Sequence, residues 1–64
     1  MIRVNGADDD FLGETVVEIL RRRAIEPRGI AVALNGEVVR RSEWESTRIP
    51  DGAVVEIVTA AAGG

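Results

Sequence analysis

The sequence predicts an α+β fold in which one main helix packs on a mixed sheet of four to five strands. Two Asn–Gly pairs, at 5–6 and 35–36, each follow a short apolar segment, which is typical of β-hairpins. Between them lies a segment whose apolar residues recur at spacings of three and four, the periodicity of an amphipathic helix. With 64 residues and only 3% aromatics, the chain can form one domain with a mainly aliphatic core.

The first predicted hairpin occupies the N-terminal residues. Met1 to Val4 is predicted to form a short strand, and Asn5-Gly6 predicts a type I′ turn after it. A second strand is expected over roughly Ala7 to Leu12. The run Asp8-Asp9-Asp10 has low strand propensity, so this strand suits only an exposed edge of the sheet.

The main helix is predicted to begin at a capping box. In Thr15-Val-Val-Glu18, the threonine hydroxyl can accept from the amide of Glu18, whose carboxylate can accept from the amide of Thr15. The predicted apolar stripe consists of Val16, Ile19, Leu20 and Ala24. Arginines at the end of the segment suit the helix dipole, and Pro27 with Gly29 is expected to end the helix.

A second hairpin follows the helix. After Gly29, one face of the predicted strand carries Ile30, Val32 and Leu34, and the other carries Ala31 and Ala33. Asn35-Gly36 predicts a tight turn, and the returning strand contains Val38 and Val39.

The remaining elements are a short helical turn and a final strand. Ser42-Glu43-Trp44-Glu45 is a second capping-box pattern, and Pro50-Asp51-Gly52 limits it to a single turn. The final strand, Ala53 to Thr59, places Val55 and Ile57 on one face. Because the first and last strands are both apolar, they are predicted to pair in parallel at the centre of the sheet. This arrangement is the β-grasp.

The composition restricts the chemistry of the side chains. All eight basic residues are arginine, and Cys, His and Lys are absent. A disulfide, a thiolate nucleophile, a soft metal site and a Schiff base are therefore excluded, and we expect no catalytic residue. Asp8 to Asp10 lack further hard ligands at useful spacing, so no metal site is expected there.

Charge and hydropathy bear on partners and location. The net charge of -3 and the isoelectric point near 4.8 argue against nucleic-acid binding and favour a basic partner surface. Apolar runs are far shorter than the roughly 20 residues needed to span a bilayer. The N-terminus has no apolar segment of the signal-peptide type, so the cytoplasm is the expected location.

The C-terminal residues Ala60-Ala61-Ala62-Gly63-Gly64 cannot pack strongly. We therefore divide the chain into a domain at 1–59 and a flexible tail at 60–64. An extended five-residue tail reaches roughly 16 to 18 Å, far enough to enter a cleft of another protein. Because Gly63 and Gly64 have no Cβ, a narrow channel can close around their backbone. The alternative interpretation is that this Gly-Gly pair is simply a frayed end.

Several stretches of the sequence resemble the thiamine-biosynthesis sulfur carriers of the ThiS family, which have a ubiquitin-like β-grasp fold. The resemblance covers essentially the whole chain. It is carried by residues 2–6, 26–39, 41–44, 51–52, 55–58 and 63–64, the central stretch through Trp44 being the most specific. Gly-Gly alone is shared with ubiquitin and with the small subunit of molybdopterin synthase, so it does not select the family.

The resemblance implies that the carboxylate of Gly64 attacks the α-phosphate of ATP on an activating enzyme similar to the ubiquitin E1. A persulfide donor would convert the resulting acyl-adenylate into a thiocarboxylate, which thiazole synthase consumes. Gly63 would thread the channel of the activating enzyme. ATP and Mg²⁺ would belong to that partner, and this chain would bind no cofactor itself.

Two surface features are candidates for partner docking. Trp44 could anchor a partner pocket or pack against the sheet. Because one helix covers one face of a sheet, Val55 and Ile57 together with Ala31 and Ala33, or the opposite set, could form an exposed apolar docking patch. The run of arginines at 21–23 could bind an acidic partner or form a solvated helix end.

Three classes of function remain open from the sequence. The chain could be a sulfur carrier, for thiazole or for another product such as molybdopterin or cysteine. It could be a protein modifier attached through Gly64. It could also be a β-grasp interaction module with an incidental tail.

Overall fold

The computed structural model describes residues 1–59, so the predicted tail at 60–64 lies outside the described residues and the division at residue 59 stays a prediction. The elements, in chain order, are β1 (Ile2–Val4), β2 (Ala7–Asp9), α1 (Val16–Arg22), β3 (Ile30–Leu34), β4 (Glu37–Val39), a 3-10 turn (Arg41–Glu43) and β5 (Val54–Thr59). This order confirms the one predicted from the sequence.

The five strands form one mixed sheet in the order β2-β1-β5-β3-β4. β5 pairs in parallel with β1 and antiparallel with β3, so the last strand lies at the centre. The two hairpins, β1–β2 and β3–β4, flank it and are antiparallel. The predicted β-grasp and its central parallel pair are confirmed.

The core lies between the helix and one face of the sheet. Helix α1 contributes Val16, Ile19 and Leu20, which are 0%, 0% and 2% exposed. The other buried apolar side chains are Ile2, Val4, Val32, Trp44, Ile49, Ala53, Val55 and Ile57. Full burial of an aliphatic side chain contributes about 1.5–3 kcal/mol to the free energy of folding, so this cluster supplies most of the favourable hydrophobic term.

The capping box at the start of α1 is confirmed. The hydroxyl oxygen of Thr15 accepts from the amide of Glu18 at 3.3 Å, and the carboxylate of Glu18 accepts from the amide of Thr15 at 2.8 Å. Two amide groups that no helical carbonyl can reach are thereby paired.

The end of α1 differs from the prediction. The helix ends at Arg22, and Ala24, expected on the apolar stripe, is exposed with φ of 54°. The amide of Ala24 donates to the carbonyl of Arg21 at 3.1 Å, and the amide of Ile25 donates to that of Leu20 at 2.9 Å. These two bonds form a Schellman motif, with Ala24 at the left-handed position that glycine usually occupies. Ile25 takes the packing role instead.

Two further expectations are wrong in detail. Strand β2 ends at Asp9, and the apolar residues Phe11 and Leu12 beyond it are 41% and 58% exposed. The helical turn near Trp44 exists, but no side chain caps its start at Arg40. Instead, the amides of Glu43 and Trp44 donate to the carbonyl groups three residues earlier, which is the hydrogen-bond pattern of a 3-10 turn. The capping box predicted at Ser42 is not formed.

Candidate functional site

Strand β5 leads directly to the C-terminal residues on which the predicted chemistry depends. Its last residue, Thr59, is also the last described residue and pairs with Ile30 of β3. Because β5 runs parallel to β1, its C-terminal end lies at the end of the sheet where the turn between β1 and β2 is found. Gly63 and Gly64 lie outside the described residues, so their roles stay predictions.

The two edges of β5 are supported over different lengths. β3 pairs with β5 from Val55 to Thr59. β1 pairs only with Val54 and Val55, because the chain turns away at Asn5. The β1 side of the strand is thus shorter than the β3 side.

Asn5 extends the support on the β1 side. Its amide donates to the carbonyl of Val55 at 2.9 Å, and its side-chain Oδ1 accepts from the amide of Ile57 at 2.7 Å. The side chain of a turn residue thus takes the place of a further β1 residue.

Asn35 makes the corresponding contact on the other edge of β5. Its amide donates to the carbonyl of Val54 at 2.8 Å, and its Oδ1 accepts from the amide of Val54 at 2.9 Å. Both asparagines have φ of 51°, and the glycines that follow have φ of 82° and 86°, as type I′ turns require. The Asn–Gly pattern predicted the hairpins, but sequence reasoning missed that both side chains hold the same distant strand.

The three residues predicted as docking candidates lie in the core. Trp44, Val55 and Ile57 are 5%, 1% and 8% exposed. The indole N–H of Trp44 donates to the carbonyl of Val39 at 3.0 Å, so its one polar atom is also satisfied inside the protein. A surface partner cannot reach these side chains in the folded domain, which corrects that expectation.

The exposed apolar surface lies on the opposite face of the sheet. Cross-strand pairing places Ala31 beside Val58 and Ala33 beside Val38, and side chains of such pairs share a face. We call these four residues the outer patch. Val38 and Val58 are 75% and 55% exposed, and the patch surrounds a shallow depression of about 240 Å³ that Glu56 also lines.

The arginine run is largely engaged within the protein. Arg22 donates to the carboxylates of Asp9 and Glu14, and Arg23 donates to Asp9 at 2.7 Å. The hydrogen bond from Arg22 holds the pKa of Asp9 below its ordinary value, and the bonds to Glu14 and Asp9 raise the pKa of Arg22. Two of the three arginines therefore tie the helix end to β2 and the loop after it, which favours the structural interpretation.

Residues 1–59 contain no group of three or more acidic, His or Cys side chains placed to hold a metal ion. In the same part of the chain, no helix combines the length and apolar character needed to cross a membrane.

Fold and site together define a small β-grasp protein whose central strand is the last described element before the C-terminal residues. The sequence profile described as the ThiS family matches residues 2–64. The sulfur carrier protein ThiS of Thermus thermophilus is 36% identical over 64 residues, which is the full length of both chains. This chain belongs to the ThiS family.

Solved structures agree with this assignment. The crystal structure of the thiamine biosynthesis protein ThiS from Geobacter metallireducens superposes with a TM-score of 0.83 at 31% identity. That alignment covers 98% of this chain and 97% of the other. A solution NMR structure of a thiamine biosynthesis protein from the same organism gives a TM-score of 0.73 at 31% identity, covering 98% and 86% of the two chains.

Proposed function

We propose that this chain is a sulfur carrier that acts through the terminal carboxylate of Gly64 and supplies sulfur for the thiazole of thiamine. The main support is that the chain belongs to the ThiS family over residues 2–64, a range that includes the Gly-Gly terminus. The position of β5 adds to this support, since the strand that precedes the C-terminal residues lies at the centre of the sheet.

A carboxylate is a poor electrophile until it is activated. Attack of a Gly64 carboxylate oxygen on the α-phosphate of ATP releases pyrophosphate and forms an acyl-adenylate. The terminal sulfur of a persulfide then attacks the acyl carbon and expels AMP. Reduction of the resulting S–S bond by a thiol leaves a thiocarboxylate, in which one oxygen of Gly64 has been replaced by sulfur.

The chain needs partners for every step of this scheme. An E1-like adenylating enzyme holds ATP and Mg²⁺, a persulfide protein supplies sulfur, and thiazole synthase accepts it. Gly63, which has no Cβ, passes through the channel that delivers Gly64 to the nucleotide. In this scheme the chain itself is a substrate whose reacting group is its terminal carboxylate, which fits a sequence without Cys, His or Lys side chains. The cytoplasm, where ATP is available, is the location that this scheme requires.

We place the docking surface for the activating enzyme on the outer patch. Val58 precedes the end of β5 by one residue, so an enzyme that takes the tail lies next to this surface. The patch is apolar except for the carboxylate of Glu56, which lines its depression. The matching surface on the enzyme is therefore apolar and carries one cation opposite Glu56.

Intact-mass measurement tests the proposal. The chain is incubated with an E1-like activating enzyme, Mg-ATP and a persulfide donor, and the expected product has one oxygen replaced by sulfur at the C-terminus. A variant that lacks Gly63 and Gly64 keeps the whole described domain and is the matched control, for which no change of mass is expected.

Other outcomes of the same measurement separate the alternatives. Covalent attachment of the chain to lysines of other proteins would identify it as a protein modifier. If the full-length chain gains no sulfur with a competent enzyme and donor, the proposal is wrong. If sulfur is gained, addition of thiazole synthase and its other substrates distinguishes thiazole formation from a carrier role in molybdopterin or cysteine synthesis.

A further inference from the structure

The two edges of β5 are hydrogen-bonded to their neighbours over different lengths, so the contacts end at different residues on the two sides. On the β3 side, pairing continues to Thr59. On the β1 side, strand pairing ends at Val55, and Asn5 Oδ1 makes the last hydrogen bond to β5 that the described residues provide, to the amide of Ile57. Ile57 lies two residues before the end of the described chain.

Few residue types can make this contact. Position 5 has φ of 51°, a left-handed conformation that glycine adopts freely and that Asn and Asp tolerate better than other residues. Glycine provides the conformation but has no acceptor. Asn and Asp provide both the conformation and a side-chain oxygen three bonds from Cα, where it can reach the neighbouring strand.

We propose that Asn5 is a positioning residue that fixes the direction of the last residues of β5, the strand that precedes the tail. Its side chain stands in for the β1 residue that would otherwise lie opposite Ile57. This inference rests on the proposed function, since the direction of the tail matters only if an enzyme must receive Gly64.

The physical effect is on the entropy of tail binding. With the Asn5 contact, β5 is held on both sides as far as Ile57, whereas without it the β1 side is held only as far as Val55. The last residues of β5 would then sample more directions, and the activating enzyme would have to order them when the tail enters its channel. A carrier whose last β5 residues are ordered in advance therefore binds more tightly, while the chemistry after binding is unchanged.

Asn35 provides a matched control within the same molecule. It has the same φ of 51°, precedes a glycine in the same type of turn, and accepts from a β5 amide at a similar distance. Its partner, however, is Val54 at the start of β5, far from the tail. Asn5→Gly and Asn35→Gly thus remove hydrogen bonds of the same type at two positions of one strand, Ile57 in its second half and Val54 at its start.

The test compares steady-state adenylation kinetics of the variants, measured by ATP–pyrophosphate exchange with the activating enzyme. We expect Asn5→Gly to raise the KM for the carrier about three- to tenfold, the range that one hydrogen bond supplies, with kcat unchanged within about twofold. Asn35→Gly should leave KM within about twofold of wild type. Asn5→Asp keeps an acceptor and should restore a KM near that of wild type.

Amide hydrogen exchange gives a readout that does not depend on the enzyme. Exchange at Ile57 should accelerate in Asn5→Gly and stay slow in Asn5→Asp, whereas Asn35→Gly should accelerate exchange at Val54. If Asn5→Gly does not fold, chemical synthesis can replace the amide of Ile57 by an ester, which removes the donor without changing Asn5. The same replacement at Val54 is its control.

Each remaining outcome overturns the inference or the proposed function separately. Equal increases in KM for Asn5→Gly and Asn35→Gly would assign the effect to general loss of stability. An unchanged KM in Asn5→Gly, despite faster exchange at Ile57, would show that tail direction does not matter. If the wild-type chain is not adenylated at all, the proposed function fails, while the exchange data still decide whether Asn5 holds Ile57.

Discussion

Arg22 at the end of the helix binds both carboxylate oxygens of Asp9 on edge strand β2, at 3.3 and 3.2 Å. Its Nε also donates to Glu14 at 2.8 Å, and Arg23 adds a third bond to Asp9. The Asp9 side chain is 15% exposed, so the pair is better shielded from solvent than most surface ion pairs. These ion pairs connect β2, an edge strand of three residues, to the helix that covers the sheet.

Asp9→Asn is expected to lower the midpoint of urea unfolding. The substitution keeps the shape of the side chain but removes the charge that two guanidinium groups face. Asp10→Asn is the matched control, because Asp10 is adjacent, exposed and makes no ion pair among the described residues. The difference in midpoint between the two variants should shrink in high salt, since screening weakens the ion pairs of Asp9 with Arg22 and Arg23, which only Asp10→Asn retains. Equal midpoints at low salt would show that the network contributes nothing to stability.

Stability is expected to fall as the pH drops below about 4.5. Hydrogen bonds from Arg22, from the amide of Thr15 and from the N-terminal ammonium group hold the pKa values of Asp9, Glu18 and Asp51, respectively, below their ordinary values. Those ordinary values are 3.8 for Asp and 4.5 for Glu. A lowered native pKa means that the unfolded state binds protons first, so the contribution is complete above the ordinary value and is lost as pH falls through the native one.

Urea unfolding measured between pH 6 and pH 2 checks this dependence. Glu18→Gln should flatten part of the acid slope, because it removes one of the three carboxylates and leaves the helix cap able to accept through an amide oxygen. Glu45→Gln is the control, since Glu45 is exposed and makes no ion pair among residues 1–59. An acid slope that is the same in both variants would contradict the role given to Glu18.

Ala24→Gly is expected to stabilise the protein by about 0.5–1 kcal/mol. Ala24 adopts a left-handed conformation at the helix end, where its Cβ is unfavourable and glycine is the preferred residue. Glycine also increases the conformational entropy of the unfolded chain, which opposes the gain, but the relief of strain at the left-handed position is the larger effect. Denaturant unfolding gives the value. Ala31→Gly in strand β3, where the backbone is extended, should instead destabilise by a similar amount, and a loss of stability in Ala24→Gly would contradict the explanation.

The sequence was sufficient to predict features that depend on neighbouring residues. The Asn–Gly pairs need positive φ at both positions, so they identified both hairpins, and the spacing of Thr15 and Glu18 identified the helix start. The helix end was missed because alanine is the best helix former and gives no local indication of a left-handed conformation.

Features that depend on strand register could not be predicted in the same way. The predicted alternation of residues within β3 and within β5 was correct. The sequence does not show, however, which of the two faces of each strand is turned toward the helix. Pairing of Ala33 with Glu56 and of Val32 with Ile57 decides this, and it places Val55 and Ile57 in the core. The bonds from Asn5 to Ile57 and from Arg22 to Asp9 likewise join residues whose proximity only the fold establishes.

The outer patch yields the last prediction, which concerns docking. A double variant, Val38→Thr with Val58→Thr, should lower kcat/KM for adenylation roughly tenfold, because each change removes apolar contact area worth about 0.8 kcal/mol from the interface. Both side chains are exposed and threonine is also β-branched, so stability should change by no more than about 0.5 kcal/mol per site. ATP–pyrophosphate exchange and urea unfolding measure the two effects.

Two controls locate the surface that the enzyme recognises. Val54→Thr changes a residue on the same strand and face, 44% exposed, but beside Arg3 and outside the patch, so kcat/KM should stay near that of wild type. Ile57→Val alters the core face and should cost about 0.5–1.5 kcal/mol of stability with little effect on adenylation. The opposite pattern, a loss of adenylation in Ile57→Val with none in the double variant, would place docking elsewhere. Because Val58 immediately precedes Thr59, an enzyme that binds this patch also contacts the strand from which the tail begins, so the proposed function predicts that loss of docking and loss of adenylation at Gly64 occur together.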